Sequence, residues 1–292
     1  MGRIFSYEEI ESGRVPTPDD FEMAKDVFCG IVEAEIDGGH FDGGIIHGSV
    51  AAGTNNIRSD FDSLVSLTDD NPVNYQAAQS LGQMIRRQTG GKIPIDVMPR
   101  TKLALTEGRH DIDRFFGQHL SCEDRIICGN DPSEYITYWG QNISAKDILA
   151  NYLFHKKRRM AETYTLVEPL DIGNGGIQRM LELPNAIGRK ALQALAEVQG
   201  PSDEQLDRSA NKEHLLRIGR DFFEKYGIAE GFDLLISANM YYNEVLTETL
   251  AGEIERHDYE EVIRELHDSL PSAVKWVEQI QTTILPLFDI SE

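Results

Sequence analysis

The chain has 292 residues, of which 40% are hydrophobic and 26% charged, enough for one large core or two modest ones and too apolar for a disordered or fibrous chain. Its 28 basic and 49 acidic residues leave a net charge of −21. Such a field disfavours general nucleic-acid binding, because it repels a phosphate backbone, and it attracts cationic small molecules. The segment Met1 to Glu11 lacks the apolar core of a signal peptide, and no window approaches the roughly 18 apolar residues of a membrane span. Three cysteines, Cys29, Cys122 and Cys128, are an odd number without a framework spacing. A cytoplasmic protein with free thiols and no membrane partner is expected.

Thr17-Pro18-Asp19-Asp20 combines a capping hydroxyl, a proline at the first helical position and early acids, and Phe21, Ala24, Phe28 and Ile31 follow at helical spacing. A helix therefore opens there and closes at Asp37-Gly38-Gly39. Phe41 to His47 and Phe61 to Leu67 read as short buried strands. Asn71-Pro72 caps a second helix with Val73, Ala77, Leu81 and Met84 or Ile85 on its apolar face, ended by Gly90-Gly91. Lys92 to Met98 is the third predicted strand.

The second half changes character. Segments Ser144 to about Glu162, Gly176 to about Val198, Ser202 to Tyr226, Glu230 to about Leu250 and Asp258 to about Leu287 read as amphipathic helices, the last broken at Pro271. Ser202-x-x-Gln205 is a capping box, and Gly227 ends the helix it opens. Phe232, Leu234, Leu235, Met240, Tyr241 and Tyr242 read as helix core. Turn residues from Gly129 to Ser144 mark the seam between a mixed α/β half and a helical half.

The chemistry concentrates in Gly48-Ser49 and, after ten residues, Asp60-Phe61-Asp62. Side chains alternate along a strand, so carboxylates at i and i+2 project to the same face and repel unless a cation lies between them, which points to Mg²⁺ held by hard oxygen ligands. Asp96 is a third acid, set between Ile95 and Val97 in an apolar strand, where it needs a partner. A glycine lets the backbone approach a ligand closely, and free amides beside a serine hydroxyl cradle phosphate oxygens. The reaction implied is metal-assisted phosphoryl or nucleotidyl transfer with two cations.

Gly48-Ser49, the ten-residue spacer, Asp60-x-Asp62 and Asp96 on a later strand resemble the signature of the nucleotidyltransferase superfamily that includes DNA polymerase beta and the aminoglycoside nucleotidyltransferases. The pattern covers roughly residues 40 to 100. The helical second half and Ile127-Cys128-Gly129-Asn130-Asp131-Pro132 look more like the antibiotic-modifying branch. Ser63, where the family usually has an aliphatic residue, and His47, where an aromatic or aliphatic one is common, depart from the pattern without removing a reactive group. The resemblance implies an α+β protein: a nucleotidyltransferase fold over residues 1–138, with a small mixed sheet and flanking helices, and a helical-bundle substrate domain over 139–292. It implies that Gly48 and Ser49 contact the donor phosphates, that Asp60 and Asp62 bind Mg²⁺, and that Asp96 completes the site as ligand or base.

Arg58, two residues before Asp60, is a candidate phosphate contact. Lys156-Lys157-Arg158-Arg159 reads either as a solvated face complementing a helix carboxy terminus or as a pair of cations, Lys156 and Lys157, reaching the donor triphosphate. Glu162, Glu168, Asp171 and Glu182 are further acids available as a general base. The expected activity moves AMP, or another nucleoside monophosphate, from ATP to a hydroxyl of a small cationic acceptor such as an aminoglycoside and releases pyrophosphate. A protein-modifying or tRNA-modifying transferase is the alternative, the latter disfavoured by the acidic charge. A non-catalytic nucleotide-binding interaction module on the same fold is the alternative from another class.

Overall fold

The computed structural model describes residues 3–113, 116, 117, 120, 124–138, 143–166, 175–199 and 212–290. It divides into two units, Gly13–Asn142 and a second that joins Met1–Ser12 to Ile143–Glu292. No helix among the described residues is long and apolar enough to cross a membrane.

In the order of the chain, α1 is Tyr7–Glu11, α2 Pro18–Asp37, β1 Phe41–His47, α3 Gly48–Ala51, β2 Phe61–Leu67, α4 Pro72–Gln88, β3 Ile95–Thr101, α5 Lys102–Thr106 and β4 Ile126–Gly129. The sheet has four strands in the order β3-β2-β1-β4 and is mixed, with β1 antiparallel to both β2 and β4, and β2 parallel to β3. Mixed α/β architecture with helices flanking one mixed sheet is thus established.

Alternation along the strands separates two apolar layers. Ile46, Phe61 and Val65 face α2 and α4, where Phe21, Ala24, Phe28, Val32, Ala78, Leu81 and Ile85 complete one core. Ile45 and Leu64 face the other way, against Leu105, Ile112 and Leu120 with Met98 and Phe116 packed alongside. Side chains on this second face are the ones that can serve a site, because among the described residues no long helix of the unit covers them.

Several expectations need correction. The third strand begins at Ile95, not Lys92, because Gly90 and Gly91, at φ +63° and +73°, carry a turn in which the Lys92 amide donates to the Thr89 carbonyl. The strand then runs past Met98 to Thr101. Pro99 is tolerated because β3 is an edge strand, so its missing N–H breaks no central ladder. On α4, Val73 and Met84 are exposed and the buried stripe is Asn74, Ala78, Leu81 and Ile85. Asn74 sets that rotation: its amide donates to the Asp69 carboxylate at 2.6 Å and its carbonyl oxygen meets His40 Nδ1 at 2.9 Å. β4 was not anticipated. Cys29 and Cys128 are not free thiols: α2 packs on β4 with their Cα atoms 5.5 Å apart, and the two form a disulfide. Cys122 lies outside the described residues.

In the second unit, α6 is Ala145–Leu166, α7 Gly176–Gln199, α8 Lys212–Lys225, α9 Ala229–Leu250, α10 Arg256–Asp268 and α11 Leu270–Thr283. The proposed cap at Ser202 to Gln205, with residues 200–211, lies outside the described residues. Pro271 falls in the first turn of α11, where its missing N–H costs nothing, which explains the break. Trp276 fills the middle of the bundle: its indole N–H donates to the Ile228 carbonyl at 3.0 Å and its ring meets Phe223 and Phe232. Of the aromatic and aliphatic run on α9, Phe232, Leu235 and Tyr242 are buried, whereas Leu234, Met240 and Tyr241 are exposed and not core. The first residues of the chain join this unit through buried hydrogen bonds, from the Phe5 amide to the Tyr242 hydroxyl at 3.0 Å and from the Tyr259 hydroxyl to the Phe5 carbonyl at 2.7 Å. A division at a single point in the sequence does not capture that grouping.

Candidate functional site

β1 ends, and β2 and β3 begin, at the same end of the sheet. His47 stands opposite Asp62 in the β1–β2 register, and Asp62 stands opposite Asp96 in the β2–β3 register. Because Ile45, Leu64 and Met98 pack on the second face, alternation by two puts His47, Asp62 and Asp96 on that face as well. The three form a row across three strands. Asp60, one residue before β2, is buried and hydrogen-bonded to Asp62.

This row concentrates negative charge. Burial, the Asp60 carboxylate and Asp96 push the Asp62 carboxyl up to about 7. Asp96 is also raised, by partial desolvation and then by Asp60, against an opposing pull from Arg100. Acids elsewhere in the unit are arranged differently. Asp42 receives Lys102 at 3.0 Å, Asp20 receives Lys92 at 3.1 Å and Asp131 receives Arg125 at 3.1 Å. Asp62 faces two carboxylates, an arrangement that a divalent cation with oxygen ligands would relieve. The donor set therefore fits Mg²⁺ in chemistry. The three carboxylates do not all close to within 4.8 Å; among the described residues that condition is met by His257, Asp258 and Glu261, which are exposed.

The backbone at Gly48 completes the row. Gly48 takes φ +70°, the left-handed region where a side chain is strained, and a Cβ there would stand 3.2 Å from Asp62 Oδ2. The chain thus passes directly beside the acid. α3 is a single turn, with the Ala52 amide donating to the Gly48 carbonyl and the Thr54 amide to the Ser49 carbonyl. Gly48 and Ser49 are half-buried, and they would approach a phosphate through amides at a turn rather than through a long helix dipole.

The loop into β2 is held by its own side chains. The Asn56 amide donates to Ser59 Oγ at 3.0 Å and the Arg58 amide to Asn56 Oδ1 at 2.9 Å, which fixes the turn that delivers Asp60. Arg58 is buried, 6% exposed, which an ordinary loop arginine is not. His47 is buried too, with its ring edge-on to Phe116 at 5.6 Å. In the sequence His47 stands out only as a departure from the resembled pattern. The period-two alternation that grouped Asp60 and Asp62 cannot by itself place it, because its neighbour lies on another strand.

The basic run belongs to the other unit. Lys156 to Arg159 fall in the middle of α6 and not in its last turn, so complementing the helix carboxy terminus does not explain them. Lys156 is buried and not solvated, 3.7 Å from Glu182 Oε2 and over the Tyr152 ring; burial lowers its pKa, with Glu182 acting in the opposite sense. Lys157 donates to Glu278 and Gln281 at 3.3 Å each, and Arg158 pairs with Glu162 at 2.7 Å. Of the other candidate bases, Glu168 and Asp171 lie outside the described residues.

A scan against protein-family models gives no match for this chain, and a search of curated proteins finds none similar to it.

Proposed function

We propose that this chain is a Mg²⁺-dependent nucleotidyltransferase that moves AMP, or another nucleoside monophosphate, from a nucleoside triphosphate to a hydroxyl of a small cationic acceptor. The observation that carries the reading is the pairing of Asp62 with Asp96 across parallel strands, beside Asp60 and against the Gly48 backbone. The mixed sheet and its flanking helices are compatible with the superfamily that the sequence pattern resembles.

In this reading Asp60, Asp62 and Asp96 would hold the cations, which would supply neutralisation of triphosphate charge and polarisation of the phosphoryl group. The Gly48 and Ser49 amides and the Ser49 hydroxyl would orient the donor phosphates, and the buried Arg58 adds a positive charge in the loop that leads to Asp60. The acceptor oxygen attacks the α-phosphorus, the bond from that phosphorus to the bridging oxygen breaks, and pyrophosphate leaves. The acceptor proton passes to a carboxylate, for which Asp96, exposed on the edge strand, is placed. Lys156 and Lys157, already engaged by Glu182 and by Glu278 and Gln281, would reach the donor only by exchanging those partners. Acidic charge outside the site favours a cationic acceptor.

Incubation with α-labelled ATP and Mg²⁺ against a panel of aminoglycosides, other aminocyclitols and proteins tests the reading: label moves to an acceptor with the wild-type chain and not with Asp60→Asn or Asp62→Asn. The non-catalytic reading draws on the spread of the three carboxylates beyond 4.8 Å. ATP binding without transfer to any acceptor would favour it.

A further inference from the structure

We infer that Ser63 is a positioning residue for the acidic row, fixing Asp96 relative to Asp62 through the backbone between the two strands; this rests on the reading of that row as a cation site. Ser63 follows Asp62 on β2, so it points to the opposite face, into the core shared with α2 and α4. It is fully buried, and its Oγ donates to the main-chain carbonyl of Asp96 at 3.1 Å. A hydroxyl in an aliphatic layer is costly unless bonded, and this one spends its donor on the residue that carries the third acid.

The location gives that bond its consequence. β3 is an edge strand, held on one side only by the parallel ladder to β2, and Asp96 is its second residue, next to the start where a ladder frays most readily. Asp96 stands directly opposite Asp62 in the register, and like charges opposite one another destabilise the pairing of their strands. The Ser63 hydroxyl adds a cross-strand tether at the residue under that repulsion, from the side of the sheet the acids do not occupy. Removing it leaves all three carboxylates present and their register intact but lets the Asp62 to Asp96 separation widen, and cation affinity falls steeply with ligand misplacement.

Mn²⁺ serves as the probe, titrated calorimetrically into the full chain without nucleotide, for wild type, S63A, D96N and the double variant. S63A is expected to weaken Mn²⁺ binding about three- to tenfold, the range spanned by one neutral hydrogen bond, and to add nothing in the D96N background, because its effect runs through Asp96. A loss of general stability would act equally in both backgrounds. If S63A melts below the titration temperature, Ser63→Cys, which keeps the volume and substitutes a weak donor, is measured in its place. Unchanged Mn²⁺ affinity in S63A, or an equal loss in the D96N background, overturns the inference alone. A wild-type chain that binds no Mn²⁺ overturns the cation-site reading and the inference with it.

Discussion

Asp62→Asn is expected to stabilise the protein in chelator at pH 8 while abolishing nucleotidyl transfer. In the folded chain the Asp62 carboxyl titrates near 7, raised by burial and by the neighbouring acids, whereas in an unfolded chain it titrates at roughly 3.9. Between those values the folded state binds more protons than the unfolded one. The contribution to stability is therefore fully present below about pH 4 and is lost as pH rises through 7. The gap between the two values sets a ceiling of about 4 kcal/mol on that loss, and because Asp62 keeps some contact with solvent, screening reduces the realised amount to about 1–2 kcal/mol at pH 8. Asn keeps the shape and removes the charge. Urea unfolding with chelator present should give nearly equal stability for the two proteins at pH 4 and a more stable variant at pH 8. Added Mg²⁺ should then raise the wild-type midpoint and leave that of the variant almost unchanged. A variant at or below wild-type stability at pH 8 would refute the charge-repulsion account, whatever its effect on transfer.

Gly48→Val should destabilise by about 1–2 kcal/mol through its left-handed backbone alone and should weaken ATP binding by crowding Asp62, with Ser49→Ala doing much less; thermal melts and calorimetry separate the two effects. Lys156→Met removes the buried cation from Glu182, which keeps a neutral hydrogen bond from Gln178 at 3.2 Å in its place, and should cost about 3 kcal/mol, and Lys156→Met with Glu182→Leu should recover most of it; a double variant no better than the single one would show that the two residues do not act as a pair. Reduction of Cys29–Cys128, or Cys29→Ser, removes a crosslink spanning 99 residues and should lower stability by about 2–4 kcal/mol, read as a fall in melting temperature on adding a thiol reductant to wild type but not to the variant.

What could be read from sequence was what local chemistry decides. Thr17-Pro18, with Phe21, Ala24 and Phe28 behind it, specifies α2, and the apolar runs of β1 and β2 are bounded as expected. Readings that depend on a distant partner were harder. β4 is four residues long and becomes a strand only by pairing with β1, and Cys29 meets Cys128 only because α2 lies against that strand. The face of α4 was misread by about one position because a polar residue, Asn74, fixes the start of the helix through His40 and Asp69. The pair Asp60 and Asp62 could be placed on one face by alternation, but the register that brings Asp96 beside Asp62, the burial of Arg58 and the engagement of Lys156 by Glu182 are properties of the fold. No spacing in the sequence encodes them.

The two faces of the sheet explain why the acids can stand together at all. On the helix-covered face the side chains neighbouring the acids are Phe61, Ser63, Ile95 and Val97, a layer that is apolar apart from one bonded hydroxyl. Burial on that side holds the strands in register, so the opposite side can carry like charges without the sheet parting. On the acidic face the apolar cover of Leu105, Ile112 and Leu120 lies over Ile45, Leu64 and Met98, each two residues along its strand from His47, Asp62 and Asp96. Asp62 is therefore close enough to that cover to lose solvent and have its pKa raised, while Asp96, on the edge strand, stays exposed. Displacing any of these acids by one residue would drive a carboxylate into the α2 and α4 core, where an unpaired charge is far more costly than the repulsion it now meets. Core packing and acid placement are thus set by the same alternation, and the sheet can tolerate its charged row only in this register.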